Sequence, residues 1–358
     1  MKKFITIFLS AVMMFGLFGC GSPEEEQPEE QIDYEIAMVT DAGMIMDGGY
    51  SQVAWTAISE FGASKGVSHK YYKAAEASED AYRETIDTAV SRGAKVIIAD
   101  GTAFEDVVYQ VQSQYEDVKF ILIDGEPMDA DSGETKISDN TLAILFSSEQ
   151  AGYLAGYGAV KEGYTQLGFM GDAKESNIID YGYGFLQGAE AASQEDGVQV
   201  SVNYHYCGSS EDRNQRLELA TGWYEGGTEV IFACGSQLEQ PVIEAAELTD
   251  REVIAFETDK SQMSDTILTS AVKDIATALE TALEQYRDEE FPGGTTMIYD
   301  AANEGIRLEL ENGRLQNFTE AQYRDVFGGL AAGTTEVQDH AAGSIGGLGL
   351  SNVTVTEQ

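Results

Sequence analysis

Two stretches of the chain carry the same pattern. Gly93-Ala-Lys-Val-Ile-Ile-Ala-Asp-Gly101 is answered by Gly227-Thr-Glu-Val-Ile-Phe-Ala-Cys-Gly235. Each is followed by a second apolar run ending in an acid: Lys119-Phe-Ile-Leu-Ile-Asp124, 23 positions after Gly101, and Glu252-Val-Ile-Ala-Phe-Glu257, 22 positions after Gly235. Upstream, Glu35-Ile-Ala-Met-Val-Thr-Asp41 pairs with Gln166-Leu-Gly-Phe-Met-Gly-Asp172. Continuous apolar runs that end in Gly or Asp and alternate with helical stretches are strands of a parallel sheet covered on both faces. Ligands of such sheets sit outside the carboxyl ends of the strands. The duplication therefore predicts two doubly wound α/β lobes with acids facing a cleft between them, an arrangement suited to binding.

The chain of 358 residues is long enough for two cores. Its start reads separately. Lys2 and Lys3 precede an uncharged apolar run of 16 residues, Phe4 to Gly19, ending in Leu17-Phe18-Gly19-Cys20. That run is shorter than the ~20 residues of a membrane span and suits a signal sequence. Its end resembles a bacterial lipobox, which implies cleavage before Cys20 and lipid on the Cys20 sulfur; an ordinary signal peptide with an incidental cysteine is the alternative. Gly21 to Asp33 holds two prolines and five glutamates and reads as an acidic tether over 20–33.

The formal charge of −41, from 62 acids against 21 bases, repels nucleic acid and anionic lipid, so neither is expected as a partner. A solvated acidic surface accounts for most of that excess. Apart from Cys20, only Cys207 and Cys234 are present, at the ends of the second and third strands of the second lobe. With strand order 2-1-3 one strand separates them by about 9–10 Å, beyond disulfide reach, so two free thiols are expected.

Lobe one is expected to run over strands at 35–40, 69–74, 95–100 and 118–123, with helices at about 50–65, 79–92 and 104–115. An edge strand at 141–147 and a helix at 148–161 follow. Lobe two repeats the scheme with strands at 166–171, 198–206, 229–234 and 252–256 and helices at 177–195, 211–226 and 238–248. The chain then crosses back, with a strand at 266–272 and a helix at 276–287. Lobe one thus comprises 34–145 plus about 266–300, and lobe two 146–265 plus about 301–358. The glycine-rich end, 328–358, shows weak periodicity and is expected to be partly loose.

Catalytic signatures are sparse. The chain has no Gly-x4-Gly-Lys-Ser/Thr loop and no His-Glu-x2-His pair. Gly62-Ala-Ser64-Lys-Gly66 matches a hydrolase pattern, but that pattern needs a strand-to-helix elbow, and here it follows a helix and reads as a C-terminus. His69, His205 and His340 lie far apart with no ligand spacing, so neither a metal nor a cofactor is expected. Paired acids such as Asp124 and Glu257 suit acid–base chemistry or polar-ligand binding; with no nucleophile or metal beside them, binding is favoured over catalysis.

The loop after the first strand is the most informative site. Thr40-Asp41-Ala-Gly43 ends the strand, and Asp47-Gly48-Gly49 precedes Tyr50-Ser51-Gln52 at a helix N-terminus. Tyr50 there offers a stacking face to a flat ligand, or else packs as an N-terminal staple; Asp41 accepts from ring or amine donors. Tyr181 stands nine positions after Asp172, as Tyr50 does after Asp41. The repeat allows Tyr181 to supply a second stacking face, and equally to pack under its own helix beside Phe185.

Asp41 to Trp55 resembles the Asp-x-Gly…Asp-x-Ser-Phe-Asn-Gln-x-Ala-Trp segment of the basic membrane protein family, the lipid-anchored, PnrA-like nucleoside-binding proteins of ABC importers. Glu149-Gln-Ala-Gly-Tyr-Leu-Ala-Gly156, Gly184-Phe-Leu-Gln-Gly-Ala189 and Leu268-Thr-Ser-Ala-Val-Lys273 extend the resemblance over essentially all of the mature chain. It implies a type I periplasmic-binding-protein-like fold with three crossovers, and a monomer that delivers a nucleoside, a purine nucleoside foremost, to ABC permease subunits in the membrane. By resemblance Tyr50 stacks on the base, Asp41 and Asp124 hydrogen-bond it, and Gly235, Glu257 and Lys273 hold the ribose hydroxyls. There are departures. The family's Gly-Ser-Phe-x-Asp reads Gly208-Ser209-Ser210-Glu211-Asp212 here, without the second aromatic, and Glu257 stands where the family has aspartate. A nucleoside hydrolase using the cleft acids and a ligand-sensing lipoprotein are the alternative functions.

Overall fold

The computed structural model describes residues 33–43, 45, 49–208 and 210–358. The lipobox with Cys20, nearly all of the acidic tether, and Asp47 lie outside the described residues.

The first sheet is built from β1 (Ile36–Thr40), β2 (His69–Lys73), β3 (Val96–Asp100), β4 (Lys119–Ile123) and β5 (Thr141–Phe146). Helices α1 (Tyr50–Lys65), α2 (Glu79–Ser91) and α3 (Glu105–Val111) connect the first four. After α4 (Ser148–Glu162), the second sheet repeats the plan with β6 (Gln166–Gly171), α5 (Ser176–Asp196), β7 (Val200–Tyr206), α6 (Arg213–Glu225), β8 (Val230–Cys234), α7 (Glu239–Thr249), β9 (Glu252–Glu257) and β10 (Ile267–Lys273). The chain continues through α8 (Ile275–Arg287), β11 (Thr295–Tyr299), β12 (Ile306–Leu308), α9 (Glu320–Ala331) and β13 (Val353–Glu357).

The sheets have strand orders β11-β5-β4-β3-β1-β2 and β12-β10-β9-β8-β6-β7-β13. Their five-strand centres, β5-β4-β3-β1-β2 and β10-β9-β8-β6-β7, correspond one to one and are parallel throughout. The duplication in sequence is thus a duplication of topology. β11 adds parallel to β5, whereas β12 adds antiparallel to β10.

Three expectations need correction here. The strand near 266–272 does not belong with lobe one: β10 pairs with β9, with Ala271 opposite Phe256, and all seven of its residues are buried. It is the fifth strand of lobe two, as β5 is of lobe one; the return to lobe one comes one element later, through α8, which packs on α1, and β11, which pairs with β5. For the same reason β5 is an interior strand rather than an edge. The glycine-rich end is also more ordered than its composition suggests. β13 pairs in register with β7, and the Glu190 carboxylate accepts main-chain N–H groups of Ser351, Asn352 and Val353 at 2.9–3.1 Å.

Local signals account for other features. α1 stops at Gly66, whose φ of 70° is the left-handed cap expected of Gly62-Ala-Ser64-Lys-Gly66 read as a helix end. Cys207 and Cys234 are free and buried, with β6 between their strands. The glycines of Glu149–Gly156 and Gly184–Ala189 have a packing cause. A Cβ on Gly156 would lie 1.9 Å from the Phe185 carbonyl oxygen, and one on Gly184 would lie 1.9 Å from that of Glu149. α4 and α5 therefore meet backbone to backbone, which only glycine allows. Among the described residues no helix is long and apolar enough to cross a membrane.

Candidate ligand-binding cleft

Parallel strands carry their carboxyl-terminal residues to one edge of each sheet, and the two edges face each other. At the edge of lobe one, Asp124 follows β4 with φ 55°; at the edge of lobe two, Glu257 ends β9 with φ 63°. Left-handed backbone at non-glycine residues is costly, and such conformations gather at ligand sites. Both residues come from the duplicated run, so the lobes bend the chain alike at equivalent acids.

Between them stands Lys273, the last residue of β10, with none of its side chain exposed. Its ammonium lies 2.7 Å from Asp124 Oδ2, across the cleft, and 3.4 Å from Glu257 Oε1. Burial works against the Lys273 charge, but the two carboxylates hold its pKa above the ordinary value. Burial pushes Glu257 up to about 7, against the pull of the Lys273 ammonium.

Tyr50, in the first turn of α1, lays its ring into the same space. Its hydroxyl is buried beside the Asp124 carboxylate without a well-formed hydrogen bond. Burial, then Asp124, raises the phenol well above its usual range, so Tyr50 is neutral and free to donate. The next residue, Ser51, donates to Asp100 at the end of β3. Burial raises Asp100 to about 7 in spite of that hydrogen bond.

Tyr50, Asp100, Gly101, Thr102, Asp124, Asn177 and Glu257 enclose a cavity of about 120 Å³. It shares Thr102, Asp124 and Asn177 with a larger interlobe opening of about 680 Å³, walled further by Glu105, Phe146, Lys174, Asp180 and His340. The opening falls within the ~300–1,000 Å³ usual for small-molecule sites.

Of the residues singled out in the sequence, Tyr50, Asp124 and Glu257 line the inner cavity, and Lys273 ties the two acids together. Asp41 lies exposed at the end of β1, its Oδ1 accepting the Gly43 N–H at 2.8 Å, outside the cavity wall. Gly235 serves as a clearance: a Cβ there would fall 1.9 Å from Asp172 Cγ, so the glycine makes room for the half-buried Asp172 carboxylate. Tyr181 is corrected from wall to core. Its ring is fully buried, meets Phe232 and Phe256 edge-on at 5.8 and 6.0 Å, and carries the Lys273 ammonium 5.3 Å from its centroid. It supports the lysine from below and offers no face to the cavity.

Asp100, Thr102 and Asn177 were not singled out. Asp100 and Gly101 end one of the duplicated runs, which was a usable signal. Asn177, in the first turn of α5, faces the cleft from lobe two and carried none.

Residues 34–327 match the family described as ABC transporter substrate-binding protein PnrA-like. The chain is 24% identical over 340 residues to the ABC transporter nucleoside-binding protein BmpA of Lactococcus lactis subsp. cremoris, covering 87% of this chain and 93% of that one. It is 26% identical over 325 residues to basic membrane protein D of Borreliella burgdorferi, covering 89% and 90%. Among solved structures, an ABC transporter system solute-binding protein from Aeropyrum pernix K1 superposes with a TM-score of 0.72 at 16% identity, over 86% of this chain and 95% of that one. That likeness bears on the fold, two parallel-sheet lobes of the type I periplasmic-binding-protein kind. The chain belongs to the PnrA-like, basic membrane protein family of ABC transporter substrate-binding proteins.

Proposed function

We propose that this protein captures a nucleoside, a purine nucleoside foremost, between its lobes and presents it to the permease of an ABC importer. In this reading it is a monomer held by lipid at Cys20 on the extracytoplasmic side of the cell membrane. The observation that carries the proposal is the meeting of Asp124 from lobe one and Glu257 from lobe two on Lys273, against the ring of Tyr50. A flat, polar ligand suits such a site: Tyr50 stacks on the base, Asp124 accepts from its ring or exocyclic N–H groups, and Glu257 with Lys273 takes the sugar hydroxyls. Asp41 and Gly235 complete the proposed set, Asp41 swinging from Gly43 to the ligand and Gly235 keeping open the space that Asp172 occupies. The name of the Lactococcus relative supports the ligand class. A screen of nucleosides, free bases and sugars by thermal shift tests it. A ligand at 100 times its Kd adds about 2.7 kcal/mol, so nucleosides should raise the melting temperature and sugars should not.

A hydrolytic reading has one observation in its favour: two carboxyls near pKa 7, Asp100 and Glu257, in one cavity. Incubation with the nucleosides that bind separates the two, because release of free base belongs to the hydrolase alone; we expect none.

A further inference from the structure

We propose that His205, Cys207 and Glu211 form a binding site for a thiophilic divalent cation of the zinc class. The site lies at the carboxyl edge of β7, apart from the inner cavity, which none of the three lines. One imidazole nitrogen, the Cys207 Sγ and one Glu211 oxygen all lie within 4.8 Å of one another.

The placement follows from the chain. Residues two apart on an extended strand point to the same face, so His205 and Cys207 project together while Tyr206 turns away. Glu211 reaches the same point from the turn before α6, whose N-cap is Asp212. The three histidines are scattered along the chain, which is why no metal is expected from the sequence. The site needs only one of them, with a thiol and a carboxylate in the remaining places.

The hydrogen bonds of His205 are the second observation. Its Nδ1 lies 2.7 Å from the main-chain oxygen of Gln358, which β13 carries to this point by pairing with β7. A main-chain oxygen of this kind only accepts, so Nδ1 holds a proton, and in the neutral ring Nε2 is a lone pair. Yet Nε2 lies 2.8 Å from Glu211 Oε1, itself an acceptor when ionised. Two such acceptors stay this close only with a cation between them, a proton or a metal ion. A histidine whose Nδ1 is fixed by a main-chain oxygen and whose Nε2 faces a thiol and a carboxylate has the usual preparation of a metal ligand.

The charges agree. A Cys207 thiolate and a Glu211 carboxylate bring −2 against a divalent ion, with a neutral imidazole as third donor. Beside them stand Asp172 and Arg216, of opposite sign; Arg216 spends its guanidinium on the Gly208 carbonyl and Gln237. His205 and Glu211 keep 15% and 23% of their side chains exposed, so the site is within reach of solvent. Binding displaces the Cys207 thiol proton, which passes to solvent as the ion enters.

Cobalt titration of the reduced full-length protein tests this. We expect equimolar binding with a near-ultraviolet sulfur-to-cobalt charge-transfer band and tetrahedral visible bands, reversed by zinc, and calorimetric heats that change with the ionisation enthalpy of the buffer. Cys207→Ser should abolish the charge-transfer band, Cys234→Ser should keep it, and Glu211→Gln should weaken affinity at least about tenfold. If Cys207→Ser fails to fold by circular dichroism, the partly exposed Glu211→Gln decides. Absence of the band at saturating cobalt, its survival in Cys207→Ser, or unchanged affinity in Glu211→Gln overturns the proposal.

Discussion

Asp124 and Glu257 occupy equivalent ends of β4 and β9, one in each lobe, and share a single buried ammonium: Lys273 Nζ lies 2.7 Å from the first and 3.4 Å from the second. The Lys273–Asp124 contact crosses between the lobes, so one ion pair joins binding chemistry to the relative position of the two sheets. In the proposed function, a ligand that takes either carboxylate competes with that bridge during hinge closure.

Removing Lys273 should therefore be costly. Lys273→Met leaves Asp124 and Glu257 buried without the ammonium between them, and breaking a buried pair in this way costs about 3–5 kcal/mol. Denaturant unfolding at pH 7 should show that loss, and a smaller one at pH 5, where Glu257 is protonated. Equal stability of variant and parent at pH 7 contradicts the assignment.

Asp100 gives a pH signature. Its folded pKa of about 7 exceeds the usual value of 3.8. Below the usual value both folded and unfolded states hold the proton and no stability is lost. As pH rises from about 4 to 7 the unfolded chain ionises first, so this residue lowers stability across that window and no further above it. Asp100→Asn, which keeps a partner for Ser51, should remove a decline of a few kcal/mol between pH 4 and 7. Chemical unfolding at a series of pH values reads it, and an unchanged slope counts against a buried acid at this position.

The glycines between α4 and α5 should not tolerate a methyl group. Gly156→Ala and Gly184→Ala each press a Cβ onto a main-chain carbonyl and should destabilise by at least about 1–3 kcal/mol, the range for overpacked cores. Gly222→Ala, on α6 with open space around it, is the control and should be neutral or slightly stabilising in a thermal melt.

Tyr50 and Tyr181 should separate function from packing. Loss of one stacking ring costs about 1–3 kcal/mol, so Tyr50→Ala should weaken ligand binding roughly five- to 150-fold with a near-parental melt. Tyr181→Ala empties a core position under Lys273 and should cost about 3–5 kcal/mol of stability. Calorimetric affinity and unfolding on both variants check this; the reverse pattern would place Tyr181 at the ligand.

The frame of the molecule was legible because it is written twice. Buried parallel strands must be apolar on both faces, and their ends must turn, so runs such as Val96–Asp100 and Val230–Cys234 announce themselves. The acids at Asp124 and Glu257 were legible for the same reason. β10 was assigned to the wrong lobe because a strand that is apolar on both faces carries no mark of which sheet it joins; its pairing with β9 decides that. β13 was missed because its order comes from tertiary partners, the β7 edge and the Glu190 carboxylate, rather than from its own composition. Tyr181 shows the limit of the repeat. The same offset from a strand end puts Tyr50 at the cavity and Tyr181 in the core, because Phe232 and Phe256 enclose the second ring.

The proposed lipid anchor at Cys20 is tested by labelling. Cys20→Ser should abolish incorporation of labelled fatty acid and leave the protein unprocessed or shed; continued labelling rejects the lipobox assignment.

The most direct test of the account is calorimetric titration of the parent protein, Asp124→Asn and Glu257→Gln with the purine nucleosides, followed by chromatography of the same samples. The parent should show saturable equimolar binding. Each variant should lose at least about 1–3 kcal/mol, the cost of an unsatisfied buried hydrogen bond, and the nucleoside should be recovered intact. Parental affinity in both variants, no binding of any nucleoside, or recovery of free base would contradict the account.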